Sequence, residues 1–261
     1  MSEWQNLLST PHAGEHIAQL YTDRRFLARA VGRWVSDGLH RGEGVVVVAT
    51  PLHWRAVLRE LDQHHVPVES FQRRGQLVVR DAQETLEAFM VDGRPDRERF
   101  RAAIGGVVDD VRAAGYRTLR AFGEMVDLLR RTDLVATFAL EALWNELLAD
   151  RRIALLCGYS LDTFDPRIYR GLLQQVTDSH SHLIPVEDYA RFERAVEHAY
   201  AEVFGGGDDA SSLRRAFLQH YARPAAMPDS EASILALREF VPDTAEAVLE
   251  SARRFYADRE S

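Results

Sequence analysis

An unbroken apolar run, Val45-Val46-Val47-Val48-Ala49, set between Gly44 and Thr50-Pro51, constrains this chain more than any other segment. A strand with one solvated face alternates apolar and polar residues. A run that is apolar on both faces belongs inside a parallel sheet covered on each side. Four further segments read as strands: Glu15 to Tyr21, Gln76 to Asp81, Thr118 to Phe122 and Ile153 to Gly158. Between them the apolar residues recur at helical spacing. Phe26, Leu27, Ala30, Val31, Trp34 and Val35 form one stripe, started by Thr22 and Asp23 and ended by Gly38 and Gly42. Trp54, Val57, Leu58 and Leu61 form a second, opened by Thr50 as cap with Pro51 at the first helical position. Helices are also expected over Gln83–Met90, Arg97–Ala114 and Met125–Ala149, with a turn at Asp92 to Asp96.

Strand and helix thus alternate from Glu15 to Tyr159, which predicts an α/β fold with a mainly parallel sheet and helices on both faces. Such sheets bind ligands at the carboxyl ends of their strands. Those ends carry Tyr21 to Asp23, Thr50 with His53, Asp81, Phe122 to Met125, and Tyr159 to Asp162. After about Gln174 the pattern changes. Thr177 to Pro185 reads as a linking strand or extended arm, Glu187 to Phe204 as an amphipathic helix, and Gly205-Gly-Gly-Asp-Asp209 as a flexible break. Helices follow near Ser211–Tyr221 and Ser230–Tyr256, the latter interrupted near Pro242. The expected division is an α/β domain over 1–189 and a C-terminal helical module over 190–261.

Composition narrows the function classes. Net charge is −8, and basic pairs such as Arg130-Arg131 and Arg214-Arg215 are flanked by acidic or apolar residues, so nucleic acid is not an expected partner. No apolar run reaches the ~18 residues that span a bilayer, and Met1 to Thr10 lacks the pattern of a signal peptide. Cys157 is the only cysteine, so no internal disulfide forms and a cytoplasmic location is expected. All 32 basic Lys/Arg positions are arginine. Without lysine there is no Schiff base and no phosphate-loop lysine. The segment Leu20-Tyr-Thr-Asp-Arg-Arg-Phe26, where a phosphate loop would lie, also lacks glycine, although Arg24 or Arg25 could meet an anion at the helix start.

Each candidate residue has a plainer structural alternative. Glu124 directly follows a strand and is either a polar anchor in a pocket or a salt-bridge residue at a helix start. Tyr21, Phe122, Met125 and Tyr159 could line an apolar pocket or pack the core, and for Trp144 the core is expected. Glu141 and Asn145 share one helix face. His16 could contact a ligand or be a satisfied structural histidine, and Cys157 is expected to be buried and inert. His180-x-His182, with Asp178 and Glu187 nearby, is expected to pin an arm to the domain, and no metal or cofactor is expected.

Seven stretches in order also carry a resemblance: His16-Ile-Ala-Gln-Leu-Tyr21, Gly38 to Thr50, Phe89 to Asp96, Arg120-Ala-Phe-Gly-Glu-Met125, Leu140 to Glu146, Leu156-Cys-Gly-Tyr159 and His180 to Tyr189. Together they resemble the MEDS family of sensory domains over roughly Glu15 to Tyr189. The resemblance implies a degenerate relative of the RecA/KaiC-type P-loop fold that senses small molecules, with hydrocarbon derivatives as proposed ligands, alongside histidine kinases or other signalling modules. The expectation is a non-enzymatic sensor that binds a small, largely apolar molecule through His16, Tyr21, Asp23, Arg24, Asp81, Phe122, Glu124, Met125, Glu141, Asn145 and Tyr159. Its helical tail would signal to a histidine kinase, a transcription regulator or a second copy of the chain. A nucleotide-binding pseudo-ATPase and a pure scaffold in a two-component or anti-sigma pathway are the alternatives.

Overall fold

A computed structural model describes residues 3–186 and 188–257. The chain divides into two compact units, Met1–Ser160 and Leu161–Ser261. The first unit begins with α1 (Glu3–Ser9) and continues through β1 (His16–Tyr21), α2 (Arg24–His40), β2 (Gly44–Ala49), α3 (Pro51–Gln63), α4 (Val68–Arg73), β3 (Leu77–Asp81) and α5 (Ala82–Phe89). A two-residue hairpin follows, β4 (Met90–Val91) and β5 (Arg94–Pro95). Then come α6 (Arg97–Phe100), a π turn (Arg101–Gly105), α7 (Gly106–Ala113), β6 (Leu119–Gly123), α8 (Met125–Arg130), α9 (Leu134–Arg151) and β7 (Ala154–Ser160).

The principal strands of this unit pair in parallel in the order β3-β2-β6-β7-β1. Every residue of β1, β2 and β6 is buried, as expected of strands covered on both faces. Helix starts follow their caps. Asp23 accepts from the Arg25 N–H at 2.9 Å, Thr50 from His53 at 3.4 Å, and Asp81 from Gln83 and Glu84 at 2.8 and 3.0 Å. Each such cap contributes about 1 kcal/mol.

Beyond α1 and α4, which the sequence pattern does not suggest, four details depart from the expected elements. Gly38 lies inside α2 and does not end it. A Cβ there would come within 2.7 Å of Arg120 Cδ and Nε, so the glycine permits close approach of helix to sheet. The Asp92-Gly93 turn closes a hairpin with both residues at positive φ, the geometry that Asp-Gly favours. The Arg97–Ala113 run passes through the π turn beside Gly105-Gly106, where the absence of side chains weakens the regular ladder. The stretch from Met125 is two helices, because Asp133 caps Ala136 at 2.9 Å and restarts the second.

The second unit contains a short 3₁₀ turn (Ile168–Arg170), α10 (Leu172–Ser179), β8 (His182–Ile184), α11 (Tyr189–Phe204), α12 (Gly207–His220), α13 (Asp229–Phe240) and α14 (Pro242–Ala257). The expected extended arm is therefore helical up to Ser179. Leu173, Val176 and Thr177 form its buried stripe, and the Thr177 and Ser179 hydroxyls bond back to the Gln174 and Gln175 carbonyls. His180 Nδ1 lies 2.7 Å from the Val176 carbonyl and His182 Nδ1 3.0 Å from Ser181 Oγ; Glu187 of the same motif lies outside the described residues. The chain at β8 bonds to Ala226. α11 packs on α14, where His198 stacks on Phe255 at 4.1 Å. The glycine break contracts to Gly205 and Gly206, both at positive φ, before α12 begins.

Glu231, in the first turn of α13, is wholly buried. Burial, reinforced by the Glu193 carboxylate and opposed by its own backbone N–H and by Arg214, pushes its carboxyl up to about 8. The folded chain then holds a proton that the unfolded chain releases near the ordinary glutamate value. Its stabilising effect is complete below pH ~4.3 and falls by up to about 1.4 kcal/mol per pH unit toward pH 8. Glu231→Gln is expected to flatten that slope. Urea melts from pH 5 to 8, followed by far-ultraviolet circular dichroism, test this, and an unchanged slope would contradict it.

Candidate functional site

Because the strands are parallel, their carboxyl ends share one edge. Tyr21 ends β1, Asp81 ends β3, Glu124 follows β6, and Ser160 ends β7. Glu124 is 2% exposed. Its carboxylate accepts from the Thr50 N–H and contacts His53 Nδ1, while its own N–H bonds to the Val48 carbonyl at 3.2 Å. The end of β6 is thus tied to the end of β2 and the start of α3. The His53 ring stands edge-on to Tyr21, with centroids 6.1 Å apart.

One turn along α8, Asp127 is also buried. Its Oδ1 accepts from Arg130 Nε and Nη2 at 3.0 and 2.9 Å and from the Ser160 N–H at 3.1 Å. Its Oδ2 accepts from Arg131 at 2.9 Å. Arg130 also donates to the Ser160 carbonyl at 2.9 Å. Burial, then the Asp127 and Glu124 carboxylates, raises the Tyr21 phenol far above its ordinary value, so it stays neutral; the hydroxyl bonds the Ser160 side chain. Two carboxylates, an imidazole, two guanidiniums and a phenol therefore meet at the ends of β1, β2, β6 and β7.

The candidate residues separate into groups. Tyr21 and Glu124 belong to this network. Asp23 and Arg24 are exposed beside it. Asp23 caps α2, so its own carboxylate occupies the N–H position that a phosphate would use. Asp81 caps α5 and lies on β3. With strands about 4.8 Å apart, four steps across the sheet place β3 about 19 Å from β1, too far for one small ligand to bridge Asp81 and Tyr21. Phe122 and Met125 are packed into the core: a Cβ on Gly158 would lie 3.4 Å from the Phe122 ring and 3.5 Å from Leu27. Trp144 is core as expected, edge-on to Phe100 at 5.2 Å.

The remaining four gather beneath α9. His16 Nδ1 lies 2.9 Å from Asn145 Oδ1, and its Nε2 lies 3.3 Å from Glu141 Oε2 and 3.4 Å from Cys157 Sγ. The Tyr159 hydroxyl donates to Glu141 Oε1. Asn145 is exposed, whereas His16, Glu141, Cys157 and Tyr159 are buried. Burial pushes the Glu141 carboxyl up to about 8, with the Tyr159 bond opposing. Burial, then Glu141, also raises the Cys157 thiol. Cys157 is buried as expected, but it has polar company that its apolar strand did not reveal.

Asp127 and Arg130 are not among the candidates that the sequence offers. Their spacing on one helix turn was the available signal, masked because Arg130-Arg131 reads equally as a solvated helix end. Two surface clefts, of about 630 Å³ between α3 and α4 and about 470 Å³ between α11 and α12, are lined by none of the candidate residues. Among the described residues no helix is long and apolar enough to cross a membrane. In comparisons with known proteins, the family model described as MEDS, the methanogen/methylotroph, DcmR sensory domain, matches residues 15–180. No curated protein matches.

Proposed function

The chain belongs to the MEDS sensory-domain family, and from that premise we propose that it is a ligand-gated regulator whose strand-end network reports a small molecule to its helical unit. The observation that carries this reading is the grip of Asp127 and Arg130 on Ser160. Ser160 is the last residue before the second unit, and both its N–H and its C=O are held by the network. A ligand that draws a bond from Asp127 or Arg130 loosens the junction through which the chain leaves the sheet.

Tyr21, Phe122, Met125 and Tyr159 are at most 2% exposed. In this reading that is the closed state, and a largely apolar ligand with one polar group displaces these side chains as it enters. A ligand shifts the equilibrium only by its difference in affinity for the two states. Reversing a closed-to-open ratio of 99:1 takes about 5.5 kcal/mol. The output partner in this reading is a cytoplasmic histidine kinase, a transcription regulator or a second copy of the chain, and no catalytic step is assigned. The Asp23 cap over the start of α2 argues against the nucleotide-binding alternative.

Native mass spectrometry of the gently purified chain, with and without Mg-ATP and with short hydrocarbon derivatives, tests the proposal alongside hydrogen exchange over Gly158 to Asp162. The expected result is an added small-molecule mass together with faster exchange at Ser160, both lost in Glu124→Gln. Stoichiometric ATP uptake would replace the proposal with the nucleotide reading. No added mass with any probe and unchanged exchange would end it.

A further inference from the structure

We propose that His16, Cys157 and Glu141 form a binding site for a divalent transition-metal ion, with zinc as the ion whose donor preference fits. The ligand atoms, His16 Nε2, Cys157 Sγ and a Glu141 carboxylate oxygen, lie within 4.8 Å of one another and belong to wholly buried residues. β1 and β7 pair with His16 opposite Leu155 and Ala18 opposite Cys157. His16 and Cys157 therefore share one sheet face, over which α9 places Glu141.

The spacings fit a coordination shell. Zinc bonds of about 2.05 Å to nitrogen, about 2.3 Å to sulfur and about 2.1 Å to oxygen, arranged tetrahedrally, put nitrogen about 3.6 Å from sulfur and about 3.4 Å from oxygen. The observed separations are 3.4 Å for His16 Nε2 to Cys157 Sγ and 3.3 Å for His16 Nε2 to Glu141 Oε2. Asn145 Oδ1 can only accept, so its 2.9 Å contact assigns the proton to His16 Nδ1 and directs the Nε2 lone pair at the sulfur and the carboxyl. Tyr159 holds the other Glu141 oxygen. His16 and Glu141 thus carry the outer hydrogen bonds that orient metal-binding side chains. Binding displaces the thiol and carboxyl protons. A dication with one thiolate and one carboxylate is then net neutral, which a buried site requires. A thiolate–imidazole–carboxylate set selects a borderline ion such as zinc over magnesium or calcium, which prefer all-oxygen shells. This site is separate from the Glu124–Asp127 network, and the inference does not rest on the proposed sensing role.

The test is to produce the full chain in zinc-depleted medium supplied with Co²⁺ and to record its absorption spectrum and metal content. The expected result is stoichiometric cobalt with a thiolate-to-cobalt charge-transfer band and the intense visible bands of a tetrahedral site. Cys157→Ser should abolish the charge-transfer band. Asn145→Ala, at an exposed position that spares the core, should weaken affinity by about 10–100-fold. Replacing the surface pair His64 and His65 should change nothing. A wild-type chain that takes up no cobalt, or takes it up without the thiolate band, would overturn the proposal whatever the variants do.

Discussion

Replacing Arg120 with methionine is expected to destabilise the first unit by about 3–5 kcal/mol, the cost of leaving a buried charge and its acceptors without their partner. Arg120 is wholly buried in the middle of a sheet. Its guanidinium donates to the Glu43 carboxylate, to the Leu8 and Trp34 carbonyls at 3.1 Å each and to the Ser9 carbonyl at 3.2 Å. It also lies 4.9 Å from the Trp34 ring centroid. One side chain therefore ties β6 to α1, α2 and the loop before β2. All four tryptophans lie in this unit, so their fluorescence follows its unfolding. The midpoint should fall by about 10 °C, since about 2–4 °C is lost per kcal/mol in a unit of this size. Arg120→Lys should recover only part, because an ammonium cannot reproduce the planar fork. Adding Glu43→Leu to Arg120→Met should also recover part, by removing the stranded carboxylate. A loss below about 1 kcal/mol for Arg120→Met would show that water compensates the buried acceptors.

The second large effect is expected at Asp127. Asp127→Ala should cost about 2–3 kcal/mol, since it strands Arg130 and the Ser160 N–H in a largely dry site. The Arg131 side chain, 60% exposed, adds little to that figure. The more telling change is local: hydrogen exchange at Ser160 and Leu161 should quicken while the centre of the sheet stays protected. Asp127→Asn retains one acceptor and should fall between the two. If exchange at the junction is unaltered in Asp127→Ala, the network does not govern where the chain leaves the sheet, and the route proposed for the signal fails with it.

Much of this architecture follows from short-range rules. The valine run, the caps at Asp23, Thr50 and Asp81, and the apolar stripe from Leu27 to Val35 are each decided within a few residues. That is why the alternation of the five principal strands with the main helices follows from the chain itself, while α1, α4 and the β4–β5 hairpin do not. Other segments depend on contacts the local pattern does not carry. Gly38 looks like a helix terminator until Arg120 is seen beneath it. Thr177 to Ser179 looks extended until the Thr177 and Ser179 hydroxyls are seen to bond back to their own helix.

The candidate site divides in the same way. That polar residues would gather at the ends of β1, β6 and β7 follows from strand–helix alternation, and Tyr21 and Glu124 are found there. Which of them meet does not follow, because it depends on the order β3-β2-β6-β7-β1. Strand order sets Asp81 about 19 Å from Tyr21 by strand spacing. It also brings His16 to Cys157 across 141 positions of sequence. Periodicity and capping act over a few residues, so the principal strands, the helices between them and the edge of the sheet where polar chemistry collects are legible in the chain alone. That Asp127 and Arg130 hold Ser160, and that His16, Glu141 and Cys157 converge beneath α9, emerges with the folded packing. Those contacts come from strand order and helix placement, which depend on the packing of the whole unit.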